Sequence, residues 1–472
     1  MRKKNKAPLV LQDVEIVDAG AEGMAVARVD GMVLFVPFVV PGDVVDVMGT
    51  KNRKSYAEGR VMQVKRYSDR RVEARCPHFG VCGGCKWQTM AYGDQLSFKE
   101  KQVRDNLQRL GQVDTSMMRP ICGSEEIFYY RNKLEYTFST KEWKSEPAET
   151  TDNGWGALGF HVPRLFDKVL HIEHCALQSE PSNAIRLAVR RYAIEHDLPC
   201  YDIRNHTGFL RNIMIRNSST GEWMVVVVVA EERGEWLFPL LDYLRDSFPQ
   251  ITSLQYIINS KFNDSYADLA VVPYAGKDHI EELMEGYAGR PALHFRINPK
   301  SFYQTNSRQA QRLYSFVAEL ADLKGDEVVY DLYTGTGTIA LFLASMCQRV
   351  VGIEYVEEAI ADAKVNARLN GYSNTCFYAG DMAKVLTPEF VEANGRPDVV
   401  ITDPPRAGMH EKVVQQLLDT APRKIVYVSC NPATQARDLQ MLAARYDVRR
   451  IQPVDMFPHT QHVENVAELV LR

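Results

Sequence analysis

The sequence predicts an α/β protein with a small β-barrel at its N-terminal side, a mixed α+β region after it, and an open parallel sheet in its last third. A length of 472 residues suits two or three domains better than one. From about residue 290, short apolar strands alternate with helical segments, the pattern of a parallel sheet with crossover helices. A composition of 45% hydrophobic and 25% charged residues, with a net charge of -4, excludes collagen-like, coiled-coil and disordered chains.

The barrel prediction rests on residues 8–66. This stretch contains β-rich runs at 24–29, 32–40 and 43–48, separated by Asp30-Gly31 and Pro41-Gly42, and it shows no helical period of useful length. Residues 51–75 then carry nine Lys or Arg against three Asp or Glu. Such a strip is either a solvated basic face or a contact for a polyanion, and a small barrel with a cationic edge is a common nucleic-acid module.

The location of the protein is predicted from two observations. The longest nearly pure apolar run, residues 223–230, has eight residues, whereas roughly 20 are needed to span a bilayer. Residues 1–8 carry four basic side chains with no apolar segment behind them, unlike a secretory signal. We therefore expect a cytoplasmic protein without a membrane partner. We also expect a monomer.

The region after the barrel is marked by cysteines. Cys76, Cys82 and Cys85 lie in the run CPHFGVCGGC, and three closely spaced thiols with one distant partner hold either zinc or an iron-sulfur cluster. Spacing does not separate these metals. A helix is predicted over about 92–118, which we expect to pack on the C-terminal domain, and residues 127–286 predict short strands and loops, with a buried strand at 223–230.

The C-terminal third has its polar motifs just beyond predicted strands. The strands are expected at 327–331, 349–354, 375–379, 398–402 and 424–429, and ligands of such sheets bind at the carboxyl ends. The first strand runs into the glycine-rich turn DLYTGTGTIA, and Glu354 closes the second, where it can accept hydrogen bonds from ribose hydroxyls. Alone, this pattern fits a dinucleotide site, an S-adenosylmethionine site or a simple turn.

Two further residues bear chemistry at the same edge, and a third follows in the tail. Asp403 begins DPPR after the fourth strand, and Cys430 lies in SCNP after the fifth. A cysteine at a strand end is a candidate nucleophile, although structural cysteines are common. Glu464 lies in a loop with His459 and His462, where a carboxylate can act as a general base or simply be solvated.

Five ordered motifs make the C-terminal third resemble the RNA (uracil-5-)-methyltransferase family. They are FYQTN from Phe302, DLYTGTGT, DPPRAG, SCNPATQARDL and FPHTQHVENVAEL. GAEGMAVARVDG and PFVVPGDVVDV resemble the TRAM domain of the same family, so the likeness extends over most of the chain. It implies a Rossmann-like S-adenosylmethionine-dependent domain behind an OB-like barrel.

The resemblance implies roles for particular residues. Cys430 matches the family's nucleophile, which adds to uracil C6, and Glu464 matches its general base. The positions that line the S-adenosylmethionine site correspond to Gln304, Tyr333, Thr338, Glu354, Asp381 and Asp403. The family's [4Fe-4S] cluster would be held by Cys76, Cys82, Cys85 and Cys175, with Cys122 as the second choice for the fourth ligand and zinc as the alternative metal.

The resemblance also implies a substrate and a domain plan. The barrel and the cysteines together resemble the branch acting on 23S ribosomal RNA rather than the shorter tRNA branch. The plan is a TRAM-like RNA-binding barrel at 1–67, a central domain at 68–289 and a methyltransferase domain at 290–472. Because a stacked base must be extruded before a thiol can reach it, Phe302 or Phe457 either stacks on that base or belongs to the core.

Three rival functions remain open at this point. An RNA cytosine-5 methyltransferase would use the same cofactor, but it usually has a second cysteine near the Asp-Pro-Pro strand end, and none lies there. A non-catalytic RNA-binding or ribosome-assembly factor would have no use for Cys430 and Glu464. An NAD-dependent oxidoreductase is supported by the glycine-rich turn alone.

Overall fold

Three β-sheets organise the computed structural model, which describes residues 9–53, 55–144 and 154–472. The N-terminal residues 1–8 and Lys54 of the basic strip lie outside the described residues. None of the described helices is long and apolar enough to cross a membrane.

The first sheet is the predicted barrel, closed in the order β1-β2-β3-β5-β4. Its strands are β1 (Val10–Ala19), β2 (Ala25–Val29), β3 (Met32–Val36), β4 (Val44–Asn52) and β5 (Tyr56–Arg66). Asp30 and Gly31, both at positive φ, form the two-residue turn between β2 and β3, as the twist of a tight hairpin requires. Leu34, Val36 and Val47 fill the interior.

The second sheet occupies the middle of the chain in the order β12-β11-β10-β9-β6-β7-β8. Its strands are β6 (Lys133–Ser139), β7 (Ala157–His161), β8 (Val169–His171), β9 (Leu210–Asn217), β10 (Trp223–Val229), β11 (Ile251–Ile258) and β12 (Val272–Gly276). β10 is buried throughout, as its apolar run predicts. Helices α2 (Ser182–Glu195) and α3 (Gly234–Ser247) cover this sheet, which confirms the predicted α+β region and adds two helices to the strands and loops expected at 127–286.

Helix α1 (Tyr92–Arg109) precedes this sheet and packs on the C-terminal domain. It is shorter than the predicted helix at 92–118. Asn106 O accepts hydrogen bonds from the backbone N–H groups of both Leu110 and Gly111, and a Cβ at Gly111 would lie 2.9 Å from Leu107 O. The chain therefore turns at this glycine, where no larger residue fits without a shift.

The third sheet follows a hairpin of β13 (Ile280–Met284) and β14 (Leu293–Ile297). Residue 290, the predicted start of the C-terminal domain, therefore lies in the connection between two paired strands. The strands are β15 (Val328–Leu332), β16 (Arg349–Glu354), β17 (Thr375–Ala379), β18 (Val399–Thr402), β19 (Lys424–Ser429), β20 (Tyr446–Val454) and β21 (Glu464–Leu471). The helices are α4 (Ser307–Ala321), α5 (Thr338–Ala344), α6 (Glu357–Leu369), α7 (Met382–Val385), α8 (Pro388–Asn394), α9 (Glu411–Thr420) and α10 (Pro432–Leu442).

The order of this sheet is β17-β16-β15-β18-β19-β21-β20. The first five strands are parallel, and β21 is antiparallel to both of its neighbours. Strand order reverses at β15, which lies between β16 and β18. Ligands bind at such a switch point, outside the carboxyl ends of the strands.

Candidate active site

Antiparallel pairing brings the predicted nucleophile and base together. Cys430 follows the last residue of β19, and Glu464 is the first residue of β21. Because Ser429 is paired with Asn465, Cys430 lies opposite Glu464. The cysteine is half-buried, whereas Glu464 is only 5% exposed. A thiol and a carboxyl group thus share one end of the sheet, next to the predicted cofactor edge.

A buried amide pair holds these two segments in register. Gln435 Nε2, on α10, donates to Tyr427 O (3.0 Å) and Asn465 O (3.2 Å), and Asn465 Nδ2 donates to Gln435 Oε1 (2.7 Å). Asn431 caps α10 by accepting a hydrogen bond from Ala433 N. Gln435 and Asn465 were not predicted as site residues, because their only sequence signal is their position inside the SCNPATQ and HVEN motifs.

The thiol of Cys430 and the carboxyls of Glu464 and Asp403 have pKa values above their ordinary ones. Burial and the nearby charges of Glu464 and Asp403 raise the pKa of the Cys430 thiol to about 12, with Arg406 opposing them. Burial and the charge of Asp403 raise the pKa of the Glu464 carboxyl, and burial and the charge of Asp331 raise the pKa of the Asp403 carboxyl. Without substrate, Cys430 and Glu464 therefore tend to hold their protons, and both groups must lose them before they can react.

The two histidines of the loop occupy different places. A nitrogen of Arg406 lies 3.2 Å from His462 Nδ1, and burial together with Arg406 lowers the pKa of His462 to about 4. His459 is buried, and its Nδ1 lies 3.2 Å from Gln95 Nε2 of α1. Burial lowers its pKa to about 4 as well, so both imidazoles are neutral near pH 7.

Two acidic residues accept hydrogen bonds from the glycine-rich turn after β15. Asp331, whose pKa burial raises to about 7, accepts hydrogen bonds from Thr334 Oγ1 (2.5 Å) and Ala340 N (3.1 Å). Glu354 accepts one from Gly335 N (3.1 Å) through one carboxylate oxygen. A Cβ added at Gly335 would meet no atom within 4 Å, so open space lies above the turn. The turn thus leaves room for a ligand to approach the backbone closely.

The other predicted cofactor residues lie around this turn. Thr336 Oγ1 donates to Phe302 O (3.2 Å), which places the segment containing Gln304 beside it. Thr338 begins α5 and lies 3.2 Å from the Tyr314 hydroxyl. Phe302 is 68% exposed, so this ring is not part of the core.

The six predicted cofactor residues gather at one edge of the molecule. Tyr333 and Glu354 follow or close β15 and β16, and Asp381 caps α7 just after β17. Asp403 follows β18, one strand from Cys430. The structure therefore brings the predicted nucleophile and the cofactor motifs to the carboxyl ends of five consecutive parallel strands.

The predicted metal ligands are neighbours in a separate cluster. Cys85 and Cys175 are buried in the core beneath the central sheet, and Cys82 packs against the same core. The charges of Cys76, Cys82 and Cys175 raise the pKa of Cys85, which burial brings to about 12. In the described part of the chain, no group of three or more His, Cys, Asp or Glu is arranged as for a metal ion.

Cys122, the second choice for the fourth ligand, lies in different surroundings. Its carbonyl accepts a hydrogen bond from Gln309 Nε2 (3.2 Å), and its backbone pairs with β20. The groups that influence its thiol pKa are Arg312, Gln309 and Asp455, whereas Cys82 and Cys85 both respond to Cys175. The surroundings favour Cys175 over Cys122 as the partner of the three clustered thiols.

Much of the charge in the basic strip is neutralised. Four of its cations form ion pairs: Lys51 with Glu58, Lys65 with Asp46, Arg70 with Asp94, and Arg71 with the buried Asp43. Arg75 lies over the rings of Phe128 and Tyr129. Within the described ranges, Arg53, Arg60 and Arg66 make no ion pair. The strip is therefore less cationic than its composition suggests.

One of these three arginines lines a large groove. A cavity of about 540 Å³ lies between the barrel, Lys86 and the loop residues Pro163 and Arg164. Its lining combines aromatic and cationic side chains with two carboxylates, of which Glu58 forms an ion pair with Arg164: Phe35, Phe38, Tyr56, Arg60, Lys86, Arg164, Glu22 and Glu58. Lys86 Nζ lies 5.8 Å from the centre of the Phe38 ring. Stacking surfaces interleaved with cations are typical of sites for unpaired nucleic acid.

Comparisons with known proteins agree with this picture. A family model described as tRNA (Uracil-5-)-methyltransferase matches residues 274–471, and a TRAM domain model matches residues 11–62. An uncharacterized RNA methyltransferase of Bacteroides thetaiotaomicron is 54% identical over 96% of this chain and 100% of its own length. One of Chlorobaculum tepidum is 39% identical over 93% of this chain and 91% of its own.

A solved structure shares the whole architecture. Pyrococcus abyssi tRNA (uracil-54, C5)-methyltransferase in complex with S-adenosyl-L-homocysteine aligns with a TM-score of 0.74 and 28% identity, over 97% of this chain and 100% of that one. The fold and its carboxyl-edge site thus define an S-adenosylmethionine-dependent RNA methyltransferase. The chain belongs to the RNA (uracil-5-)-methyltransferase family and carries a TRAM domain, which confirms the family and fold predictions.

Proposed function

We propose that this protein methylates C5 of a specific uridine in RNA, with Cys430 as nucleophile and Glu464 as general base. The observation that carries the proposal is the register of β19 and β21, which sets a half-buried thiol opposite a buried carboxyl group beside the cofactor edge. Methylation of an unreactive pyrimidine carbon needs both groups. A purely structural RNA-binding factor has no use for either group.

The first part of the reaction uses the thiol. C5 of uracil is a poor nucleophile, so the Cys430 sulfur, after losing its proton, adds to C6 and makes C5 enolate-like. When bound, S-adenosylmethionine supplies an electrophilic methyl group and a positive charge. C5 of the Cys430 adduct would take this methyl group, with the rest of the donor as the neutral thioether leaving group.

The second part uses the carboxyl group. After methyl transfer, C5 still carries its proton, and the nucleotide is still bonded to Cys430. Glu464 as a carboxylate accepts that proton, the C5–C6 double bond re-forms, and the carbon–sulfur bond breaks to restore the thiolate. Since Glu464 is buried beside Asp403, its proton affinity is raised, and the proton from C5 is readily held.

We assign the cofactor site to the predicted residues that border the glycine-rich turn. They are Gln304, Tyr333, Thr338, Glu354, Asp381 and Asp403. The carboxylate of Glu354 already accepts from the backbone of the turn and of Val356, so its orientation is fixed. Open space above Gly335 supports the close approach of a ligand at this position.

The pH dependence of the enzyme is predicted from the raised pKa values. Both Cys430 and Glu464 act in their deprotonated forms, and burial holds the pKa of each above its ordinary value. We therefore expect kcat/KM for RNA, which reports the steps through methyl transfer and so the ionisation of Cys430, to rise with pH between about 6 and 9. RNA affinity measured over the same range separates this rise from changes in binding, and a flat profile would contradict the assignment.

The substrate that we propose is 23S ribosomal RNA, bound by a monomer in the cytoplasm. The domain plan is a barrel at 1–67 that binds RNA, a central domain at 68–289 and a catalytic domain at 290–472. The groove lined by Phe35, Tyr56 and Arg60 supports binding of unpaired RNA next to the target.

A tRNA uridine is the second candidate substrate, and one observation favours it. The Pyrococcus abyssi tRNA enzyme aligns over 97% of this chain, so a chain of this architecture is not restricted to ribosomal RNA. The barrel therefore does not separate the two substrates, contrary to our expectation that the tRNA branch is shorter and lacks it.

One experiment tests both the reaction and the substrate. The protein is incubated with labelled S-adenosylmethionine and either unmodified 23S ribosomal RNA or unmodified tRNA, and the nucleosides are then separated. We expect label in 5-methyluridine from ribosomal RNA. Label in tRNA alone would select the second substrate, whereas label in 5-methylcytidine, or none in 5-methyluridine from either RNA, would overturn the proposal.

We further propose that Cys76, Cys82, Cys85 and Cys175 hold a [4Fe-4S] cluster. Four neighbouring, partly or fully buried thiols match the four cysteinates that such a cluster needs, and its iron ions would deprotonate thiols that burial otherwise keeps protonated. When bound, the cluster would supply bonds that tie the loop at 76–85 to residue 175.

Metal analysis tests the cluster directly. A protein purified without oxygen should be brown and contain about four irons. Cys85→Ser should lose the colour and Cys122→Ser should keep it, because Cys122 lies among other groups. A colourless protein with one zinc would refute the assignment of iron.

A further inference from the structure

The loop between β20 and β21, residues 455–463, leads directly into Glu464 and is held along its length by other parts of the chain. Four consecutive carbonyl groups accept hydrogen bonds from outside the loop. The pairs are Asn306 Nδ2 to Met456 O (3.0 Å), Lys99 Nζ to Phe457 O (3.1 Å), Tyr130 Oη to Pro458 O (3.0 Å), and Lys86 N and Trp87 N to His459 O (2.8 and 3.0 Å). Such a loop is fixed by its surroundings.

Helix α1 supplies the buried part of this support. Gln95 and Lys99 are one turn apart on the helix face that points into the protein, and both are 0% exposed. Lys99 Nζ lies 2.5 Å from Asp455 Oδ1, and the Asp455 side chain is also fully buried. Tyr92 Oη donates to the other carboxylate oxygen of Asp455 (2.9 Å). A buried ion pair of this kind is sensitive to the loss of either partner.

Gln95 forms hydrogen bonds with the loop at His459, a residue with a positive φ. Its Oε1 accepts from His459 N (2.9 Å), and its Nε2 donates to Trp87 O (3.1 Å) and Met90 O (2.8 Å). His459 has φ of 65°, a left-handed conformation that persists in a non-glycine residue only when its surroundings impose it. One side chain therefore joins three segments at a strained position five residues before Glu464.

The cysteine loop takes part in the same support. Lys86 and Trp87, which donate to His459 O, directly follow Cys85. A role for these cysteines near the chemistry does not follow from their spacing. The structure offers one, because the loop at 76–85 ends on the backbone of the segment that carries the base.

We propose that Gln95, together with the Lys99–Asp455 pair, positions Glu464 for proton abstraction from C5. Neither Gln95 nor Lys99 touches the reacting groups, so both are positioning residues that act through the loop at 455–463. This inference rests on the proposed role of Glu464. It goes beyond it by assigning to a helix of the central region a specific effect on the second half of the reaction.

The test separates the two halves of the reaction. Gln95→Met keeps side-chain length but removes all of the Gln95 hydrogen bonds, which should let the loop shift. In single-turnover reactions with labelled S-adenosylmethionine and RNA, we expect methyl transfer to change little. Release of product should slow by between about tenfold and a hundredfold, as for a displaced catalytic group, so a covalent protein–RNA adduct should accumulate.

The controls distinguish positioning from a general loss of folded protein. Arg104→Met, on the exposed face of the same helix, removes only a contact with Glu100 and should behave like the wild type. The double variant Lys99→Met with Asp455→Asn removes the buried charges together and should also accumulate adduct. A smaller folded fraction lowers the amplitude of both steps equally and leaves the share of adduct unchanged, an outcome that would overturn the proposal.

Parallel reactions with Glu464→Gln separate this inference from the proposed function. If Glu464→Gln accumulates adduct and both network variants do not, the positioning role alone is wrong. If Glu464→Gln itself turns over freely, the assignment of the base is wrong, and the positioning role falls with it.

Discussion

Cys430→Ala should abolish turnover. Without the sulfur, nothing adds to C6 of the base, C5 keeps its low reactivity, and no methyl group is transferred. Loss of a covalent nucleophile costs on the order of 10⁴-fold or more in rate. The measurement is methyl incorporation into RNA under single-turnover conditions, with RNA affinity measured in parallel. We expect affinity to change little, because the half-buried thiol contributes a small part of the contact surface.

Cys376→Ala is the matched control for this substitution. Cys376 is also a half-buried cysteine of the catalytic sheet, but it lies within β17, where its sulfur accepts a hydrogen bond from Arg349 (3.3 Å). The control should retain nearly full activity. A Cys430→Ala protein that still methylates RNA at a measurable fraction of the wild-type rate would show that the reaction does not proceed through this thiol.

The parts of the site that the sequence predicts are those tied to strand ends. Short apolar runs followed by polar motifs locate Tyr333, Glu354, Asp403 and Cys430 correctly at one edge, because parallel strands bring their carboxyl ends together. The position of Glu464 is not predicted by the pattern of apolar strands and polar motifs. It depends on β21 returning antiparallel beside β19, and only the family resemblance pointed to it.

The buried polar residues that hold the loop before Glu464 cannot be predicted from the periodicity of apolar residues. Lys99 and Gln95 are polar residues of a helix that the sequence predicts only as a whole, yet both are fully buried because partners far along the chain satisfy them. The composition of the basic strip likewise does not show which of its charges are paired. Arg71 contributes a charge to its composition, but the structure uses that charge on the buried Asp43.

Glu464→Gln should separate methyl transfer from product release. The substitution preserves size, so Cys430 can still add to C6 and C5 can still take the methyl group. The C5 proton then has no acceptor, and the carbon–sulfur bond cannot break. We therefore expect the methylated RNA to remain covalently bound to the protein, visible as a labelled band of protein–RNA mass on a denaturing gel, with turnover reduced by on the order of 10²-fold or more.

Glu468→Gln supplies the matched control, because it makes the same change four residues along the same strand. Glu468 pairs with Lys424 and Arg450 and serves stability, so its variant should melt at a lower temperature but release product normally. Glu464→Gln should instead keep or raise its melting temperature at alkaline pH. Burial raises the pKa of Glu464, so its ionised form opposes folding above that pKa, and the amide removes this charge. A variant that is stable yet arrested after methyl transfer would identify Glu464 as a residue kept for chemistry at a cost in stability.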